Sequence, residues 1–175
     1  GRGAGGGAAG GRQVAPGREG GTGGDASTGT QPKDLPYYLE GGTPNVRGVA
    51  GLSAGVQWVE SEGLGKIHAH EVKRTERLWN GLDELGTFHV VGHRDFSRRV
   101  GTISFWTEAL PAPEIGGILD QAFEIAIRPG LHCAPYVHRS VGSFPDGLVR
   151  VSPGPFNTEA EIDALIGALR EITGL

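Results

Sequence analysis

The single cysteine of this 175-residue chain, Cys133, is the first candidate for chemistry. It lies in residues 127–135, IRPGLHCAP, between a predicted strand and a proline-punctuated loop. The thiolate is the nucleophilic form of cysteine, and a neighbouring cation stabilises it. Arg128 and His132 precede the sulfur closely, so the sequence predicts a thiolate that is favoured electrostatically. The alternative is a small buried core residue, since free cysteine is among the most buried residue types.

Arg150 is the second candidate, because a guanidinium in the middle of a strand requires an anion. It lies in the predicted strand 147–152, GLVRVS, on the same face as Leu148 and Ser152. The planar guanidinium matches a carboxylate in a bidentate manner, so the α-carboxylate of a small substrate is a natural ligand. The alternative is an arginine on a solvated strand face or in a structural salt bridge. The acidic residues available for such a bridge are Glu159, Glu161 and Asp163.

The turn Gly42-Thr43-Pro44-Asn45 precedes a predicted helix and offers backbone N–H groups and a hydroxyl at the helix N-terminus. The helix dipole and its unpaired donors favour an anion such as a phosphate at this place. A turn that glycine permits, with Thr43 or Asn45 as the helix cap, explains the same residues.

Metal binding is not expected. His132, Cys133 and His138 are close in sequence, and His68 and His70 form a second pair. A closed zinc site needs four ligands at recognisable spacings, and neither group has the paired CxxC or HxxxH arrangement.

The bulk composition argues against several classes of function. The net charge is −4 and there is no run of Lys or Arg, so a nucleic-acid partner is not expected. No apolar stretch approaches the roughly 20 residues that span a bilayer. With one cysteine, which fits a reducing compartment, the chain is expected to be soluble and cytoplasmic. The absence of methionine, including at position 1, is expected of a fragment.

The periodicities predict the element order α-α-β-β-α-β-β-α in a compact two-layer α+β lobe. Helices are expected from the turn at 41–45 up to Gly63, over 66–85, after Pro111 and over the C-terminal residues. Thr158 and Glu161 have the spacing of a capping box for the last helix. Strands are expected at 88–91, 100–106, 125–127 and 147–152, and the first two are expected to pair. Residues 1–36 are rich in glycine and are expected to be poorly ordered.

Three segments together resemble the class V aminotransferase superfamily, in its cysteine desulfurase and selenocysteine lyase branch. They are residues 39–45 (LEGGTPN), residues 128–135 (RPGLHCAP) and residues 149–163, in which VRVS leads to FNTEAEID. The resemblance extends from about Gly20 to the C-terminus, and the RxGxHCAP segment is its most specific part. It implies the C-terminal portion of such an enzyme: the small α+β domain of a fold-type I pyridoxal phosphate (PLP) enzyme, with the end of its large domain. The implied division is a leader at 1–36, the end of the large domain at 37–62 and the small domain at 63–175.

The resemblance also implies roles for individual residues. Members of the branch use PLP to convert L-cysteine to L-alanine and pass the sulfur to an enzyme cysteine as a persulfide. Cys133 matches that cysteine, and Arg150 matches the arginine that holds the substrate carboxylate. Arg128 matches a second active-site arginine, directed toward the substrate or the cysteine loop, and His132 is expected to bind the substrate as well. Gly42 and Thr43 match the loop that reaches the cofactor phosphate of the other subunit in a homodimer. A sulfur-acceptor protein is a further implied partner.

One departure from the family is decisive. The family's Schiff-base lysine follows a histidine, whereas this chain has only Lys33, Lys66 and Lys73, none of them after a histidine. The residues that stack on the cofactor ring and pair with its pyridine nitrogen belong to the same missing part. We therefore expect this chain to be inactive alone. Two alternatives remain: another class V aminotransferase, lyase or epimerase in which Cys133 is incidental, and a PLP-free interaction fragment.

Overall fold

The structure is a computed structural model that describes residue 32 and residues 34–174. Five α-helices and four strands lie in these residues, in the order α1, α2, β1, β2, α3, β3, α4, β4, α5. The helices are α1 (Val46–Glu62), α2 (Leu64–Leu85), α3 (Ala112–Phe123), α4 (Pro135–Val141) and α5 (Glu159–Thr173). The strands are β1 (Phe88–Val90), β2 (Ile103–Thr107), β3 (Arg128–Gly130) and β4 (Leu148–Val151), and a 3₁₀ turn (Phe96–Arg98) lies between β1 and β2.

The four strands form one antiparallel sheet in the order β1-β2-β4-β3. Because side chains alternate along a strand, the sheet has two different faces. One face carries the fully buried residues Ile103, Phe105 and Val149. The other carries Ser104 and Arg150, which are directly opposite each other in the register. The predicted pairing of the first two strands and the predicted face of Arg150 are therefore confirmed.

Helices α2, α3 and α5 cover the apolar face of the sheet. Helix α2 packs on β1, α3 packs on β3 and β4, and α5 packs against α2 and α3. Leu78, Leu82 and Leu169 are completely buried in the resulting core. The mixed α+β architecture expected from the sequence is thus confirmed. Among the described helices, none is long and apolar enough to cross a membrane.

The capping box of α5 is confirmed in full. The Thr158 hydroxyl accepts the backbone N–H of Glu161 at 3.2 Å, and a Glu161 carboxylate oxygen accepts the backbone N–H of Thr158 at 2.7 Å. These bonds satisfy two donors that the helix itself leaves unpaired. The helix therefore begins at the residue that the sequence indicates.

The strand expected at 125–127 is wrong, because the strand in this region starts at Arg128. Glu124 ends α3 in a left-handed conformation, and the N–H of Ile125 then bonds to the carbonyl of Leu119. Ile125 and Ile127 are only partly buried against the core. Pairing with β4 begins at Arg128, so the strand includes Pro129. Pro129 is tolerated because β3 is at the edge of the sheet, where one row of N–H groups has no partner strand.

The chain forms two compact units, which divide between Gln57 and Trp58. In the first unit, the predicted stripe Val49, Leu52 and Val56 does lie on a helix, but all three side chains are exposed. The glycine-rich leader predicted at 1–36 falls almost entirely outside the described residues. The predicted boundary between residues 62 and 63 remains a prediction.

The backbone of β3 lies very close to the chain that leads into β4, and two glycines with positive φ provide a test of this close approach. A Cβ on Gly147 would collide with the backbone of Gly130, whereas a Cβ on Gly142 would meet open space. Both residues are left-handed, with φ of 81° and 79°. We expect Gly142→Ala to lower the free energy of unfolding by about 1–2 kcal/mol. Gly147→Ala adds a backbone clash and should cost about 3 kcal/mol or more. Equal losses in urea unfolding would contradict the close approach.

Candidate active site

The pairing of β3 with β4 brings the two candidate arginines together. Arg128 is directly opposite Arg150 in the antiparallel register. Directly opposite residues point to the same face and have Cβ atoms about 5 Å apart. Both arginines therefore stand on the sheet face that α2, α3 and α5 leave uncovered.

Arg150 is half-buried and has no partner among the described residues. Its Nε atom is buried and forms no hydrogen bond there, and its guanidinium forms no ion pair. The salt bridges considered from the sequence do not form: Glu159 pairs with Lys73 and Asp163 pairs with Arg77. A buried donor without an acceptor is costly, so this guanidinium is poised to bind an anion.

Cys133 is exposed, so the alternative of a buried core cysteine is wrong. Its sulfur lies 3.6 Å from a terminal nitrogen of Arg128, which donates a hydrogen bond to it. The guanidinium of Arg128 is therefore directly beside the thiol. Cys133 and His132 both have positive φ, 59° and 53°, which is uncommon for residues with a side chain. Backbone held in this way is concentrated at functional sites.

His132 connects the cysteine loop to the arginines. Its Nε2 lies 2.9 Å from the backbone carbonyl of Arg128 and must donate, since a carbonyl only accepts. Burial lowers the pKa of His132 below its usual value, the bond to the carbonyl opposes this, and the positive charge of Arg150 lowers the pKa further. The ring is therefore neutral at pH 7, with Nδ1 as a hydrogen-bond acceptor.

The sequence analysis predicted neither helix α4 nor the burial of its histidine, His138, beside the cleft. His138 is only 3% exposed, its Nδ1 is 2.8 Å from the hydroxyl of Ser143, and its ring centroid is 5.2 Å from that of His132. Pro135 at the start of α4 and Gly142 just after its end are the signal that could have predicted this short helix.

The uncovered sheet face and α4 enclose a cleft of about 550 Å³. Arg150 and Ser104 line it from the sheet, and His132 and His138 line it from the loop and α4. The cleft thus unites Arg150 with the residue next to Cys133. A ligand bound there would reach the guanidinium at the strand and the loop that carries the thiol.

Gly42 and Thr43 belong to the other unit of the chain. Gly42 is half-buried with φ of 93°, and Thr43 is exposed. The side chain of Asn45 accepts the N–H of Gly48 at 2.9 Å, so the capping alternative holds for Asn45. Within residues 34–174, no group of three or more His, Cys, Asp or Glu side chains could hold a metal ion.

The lysines of the described part do not fit the role of a cofactor-binding amine. Lys66 pairs with Glu62 at 2.5 Å, and Lys73 pairs with Glu159 at 2.8 Å. Both ammonium groups are mostly exposed. The residues around the cleft fit the carboxylate and the sulfur of an amino-acid ligand, but not the attachment of PLP.

The family model for class-V aminotransferases matches residues 12–165. The match covers most of the chain, which therefore belongs to the class-V aminotransferase family.

Within this family, the chain is similar to proteins named as cysteine desulfurases. A probable cysteine desulfurase of Pyrococcus abyssi is 34% identical over 137 residues, 78% of this chain and 33% of that protein. The apo structure of the cysteine desulfurase of Thermococcus onnurineus is 35% identical with a TM-score of 0.74, and the match covers 83% of this chain and 36% of that one. A cysteine desulfurase structure from Escherichia coli, in an S-sulfonic acid form, is 26% identical with a TM-score of 0.75 over 91% of this chain and 39% of that one. The chain thus spans about a third of the length of the relatives it matches.

The positive charge of Arg150 is one of the causes that lower the pKa of His132, and this effect can be tested. Arg150→Gln removes a positive charge that disfavours the imidazolium, so the pKa of His132 should rise toward its usual value. NMR titration of the histidine ring protons measures this shift. Arg170→Gln removes an equal charge from the exposed face of α5 and should leave the pKa of His132 unchanged. An unchanged or lowered pKa in Arg150→Gln would show that the two side chains do not share the cleft.

Proposed function

We propose that this chain is the C-terminal part of a PLP-dependent cysteine desulfurase, in which Cys133 accepts the sulfur of L-cysteine as a persulfide. The observation that carries the proposal is the position of Arg128, which lies directly opposite Arg150 in the sheet and donates to the exposed thiol of Cys133. The Nε of Arg150 is buried and has no partner among the described residues. Membership of the class-V family and similarity to proteins named as cysteine desulfurases support it.

In the proposed reaction, Arg150 binds the substrate α-carboxylate. Its guanidinium offers parallel N–H donors in the plane that a carboxylate needs, and its partial burial strengthens the interaction. This bond fixes one end of the substrate at the middle of β4. The substrate side chain can then be directed toward the loop that follows β3.

Cys133 performs the sulfur transfer. Its thiolate, held by Arg128, attacks the substrate sulfur, so that an S–S bond forms as the C–S bond breaks. PLP, held by residues outside this chain, would supply the electron sink for this cleavage. L-cysteine and the enzyme thiol become L-alanine and the enzyme persulfide, with all atoms and hydrogens accounted for. The neutral ring of His132, with Nδ1 as an acceptor, is suited to receive the proton of a thiol in the cleft.

The remaining parts of the site would come from outside this chain. A lysine that attaches PLP, and the groups that hold its ring, are proposed to lie in the rest of a longer polypeptide. Gly42 and Thr43 are proposed to contact the cofactor phosphate of a second subunit, which makes a homodimer the working form. Residues 37–62 would then belong to the end of the large domain and residues 63–175 to the small domain.

A sulfur-acceptor protein is the proposed partner of the persulfide. Cys133 is exposed, and so are Tyr136 and Val137 on the first turn of α4, with 77% and 59% of their surface accessible. Apolar side chains beside a reactive thiol offer contact area to such a protein. A cytoplasmic location, suggested by the lone cysteine, remains a prediction.

The proposal is tested with the intact, PLP-loaded protein and L-cysteine. We expect alanine in the product and a persulfide on Cys133, identified by mass spectrometry of the alkylated peptide. Cys133→Ala should abolish the persulfide. Arg150→Ala should lower kcat/KM for L-cysteine by about 10²-fold or more, because the substrate carboxylate loses its charged partner.

Arg170→Ala is the matched control, since this arginine is exposed on α5 away from the cleft, and its kcat/KM should equal that of the wild type. Alanine formation that survives both Cys133→Ala and Arg150→Ala would reject the residue assignments. It would favour a class V aminotransferase, lyase or epimerase in which Cys133 is incidental. Normal folding without a PLP absorbance band would favour an interaction fragment instead.

A further inference from the structure

The cleft of the candidate active site has three arginines in its lining and no acidic side chain. Arg98, Arg99 and Arg150 line it, and its lining contains neither aspartate nor glutamate. The whole chain carries a net charge of −4, so the local charge is opposite to that of the molecule. A cleft lined by charges of one sign concentrates ligands of the other sign.

Two arginines of the same unit have carboxylate partners, and both lie outside the cleft. Arg77 pairs with Asp163 at 2.6 Å and Arg94 pairs with Asp83 at 2.7 Å, both outside the cleft. By contrast, Arg98 and Arg150 form no ion pair with any described residue. The cleft thus has two guanidinium groups, those of Arg98 and Arg150, that no described carboxylate neutralises.

The three arginines of the cleft differ in what the fold already requires of them. Arg99 donates to the backbone carbonyls of His93 and Thr102 and lies over the ring of Trp79, so it holds the turn between β1 and β2 in place. Arg98 is exposed, at the end of the 3₁₀ turn. No hydrogen bond or ion pair among the described residues occupies its guanidinium. Arg98 is thus the arginine, besides Arg150, that is available to a ligand.

We propose that Arg98 forms a second anion subsite and that the cleft binds a small ligand with two negatively charged groups, one at Arg150 and one at Arg98. The lining runs from Arg150 across Ser104 and Thr102 to the 3₁₀ turn. Ser104 and Thr102 offer hydroxyl groups along this path, which suit a polar ligand. The inference rests on the proposed function only in assigning a carboxylate to Arg150.

Two sources of such a ligand share this chemistry. One is an amino-acid substrate with a second carboxylate, of which the disulfide L-cystine is the sulfur-containing example. The other is an acceptor thiol with two carboxylates. Its sulfur attacks the outer sulfur of the Cys133 persulfide, so that a new S–S bond forms as the bond to the Cys133 sulfur breaks and the Cys133 thiol is regenerated. In both cases the ligand has a second anionic group that Arg150 does not bind. The kinetics of an Arg98 variant distinguish the two sources.

The subsite is tested by equilibrium binding of unreactive five-carbon acids to the intact, PLP-loaded protein. We expect glutarate to bind about tenfold more tightly than pentanoate by calorimetry, because only glutarate presents a second carboxylate to Arg98. Arg98→Gln should abolish this preference and leave pentanoate binding unchanged. Arg170→Gln, which removes an exposed charge on α5, should keep the preference. A preference for glutarate that persists in Arg98→Gln would overturn the proposal.

Two kinetic comparisons then assign the source. If the substrate carries the second carboxylate, Arg98→Gln raises KM for L-cystine and not for L-cysteine. If the acceptor carries it, Arg98→Gln slows removal of the persulfide sulfur from Cys133 by mercaptosuccinate and not by 3-mercaptopropionate. If neither changes, the inferred ligand is wrong. Loss of pentanoate binding in Arg150→Gln checks the proposed carboxylate site separately, so the two proposals can fail independently.

Discussion

The site depends on an electrostatic constraint at the edge of the sheet, where Arg128 and Arg150 stand directly opposite each other on β3 and β4. Like charges at directly opposite positions destabilise a strand pair. No described acidic side chain forms an ion pair with either arginine. Arg128 instead donates to the sulfur of Cys133, and Arg150 keeps a buried Nε with no partner. In the proposed reaction each arginine meets a negatively charged group: Arg128 meets the thiolate of Cys133, and Arg150 meets the carboxylate of the substrate.

Close backbone packing holds this edge strand in position. A Cβ on Gly116 would come within 2.6 Å of the ring of Pro129, so α3 lies directly against β3. On the other side, Gly130 touches the backbone of Gly147, which leads into β4. The chain then passes through His132 and Cys133 with positive φ into α4. The rigid edge fixes where the loop begins, and the loop conformation presents the sulfur to solvent beside Arg128.

The sequence predicted the features of the site that depend on local rules. Because side chains alternate along a strand, the sequence predicted that Arg150 points to the face opposite Val149 and Val151. The spacing of Thr158 and Glu161 predicted where α5 begins. Both follow from backbone geometry within a few residues. Cys133 is a candidate because it is the single cysteine of the chain, and the RxGxHCAP segment assigns it a role only through family resemblance.

Features that depend on distant residues escaped prediction. Strand β3 contains a proline and a glycine and has little strand propensity, so only its pairing with β4 reveals it. The basic cleft joins the turn after β1 to the middle of β4 and to α4, elements that are separated by many residues. Arg98 was not among the predicted site residues, because the sequence does not show that it lines the same cleft as Arg150.

The most direct test of the central claim is a crystal structure of the intact, PLP-loaded protein with the proposed product L-alanine bound. Our account predicts that the alanine carboxylate accepts hydrogen bonds from the guanidinium of Arg150, with its methyl group directed toward the loop of Cys133. A carboxylate bound by other residues, with Arg150 facing away from the ligand, would contradict it.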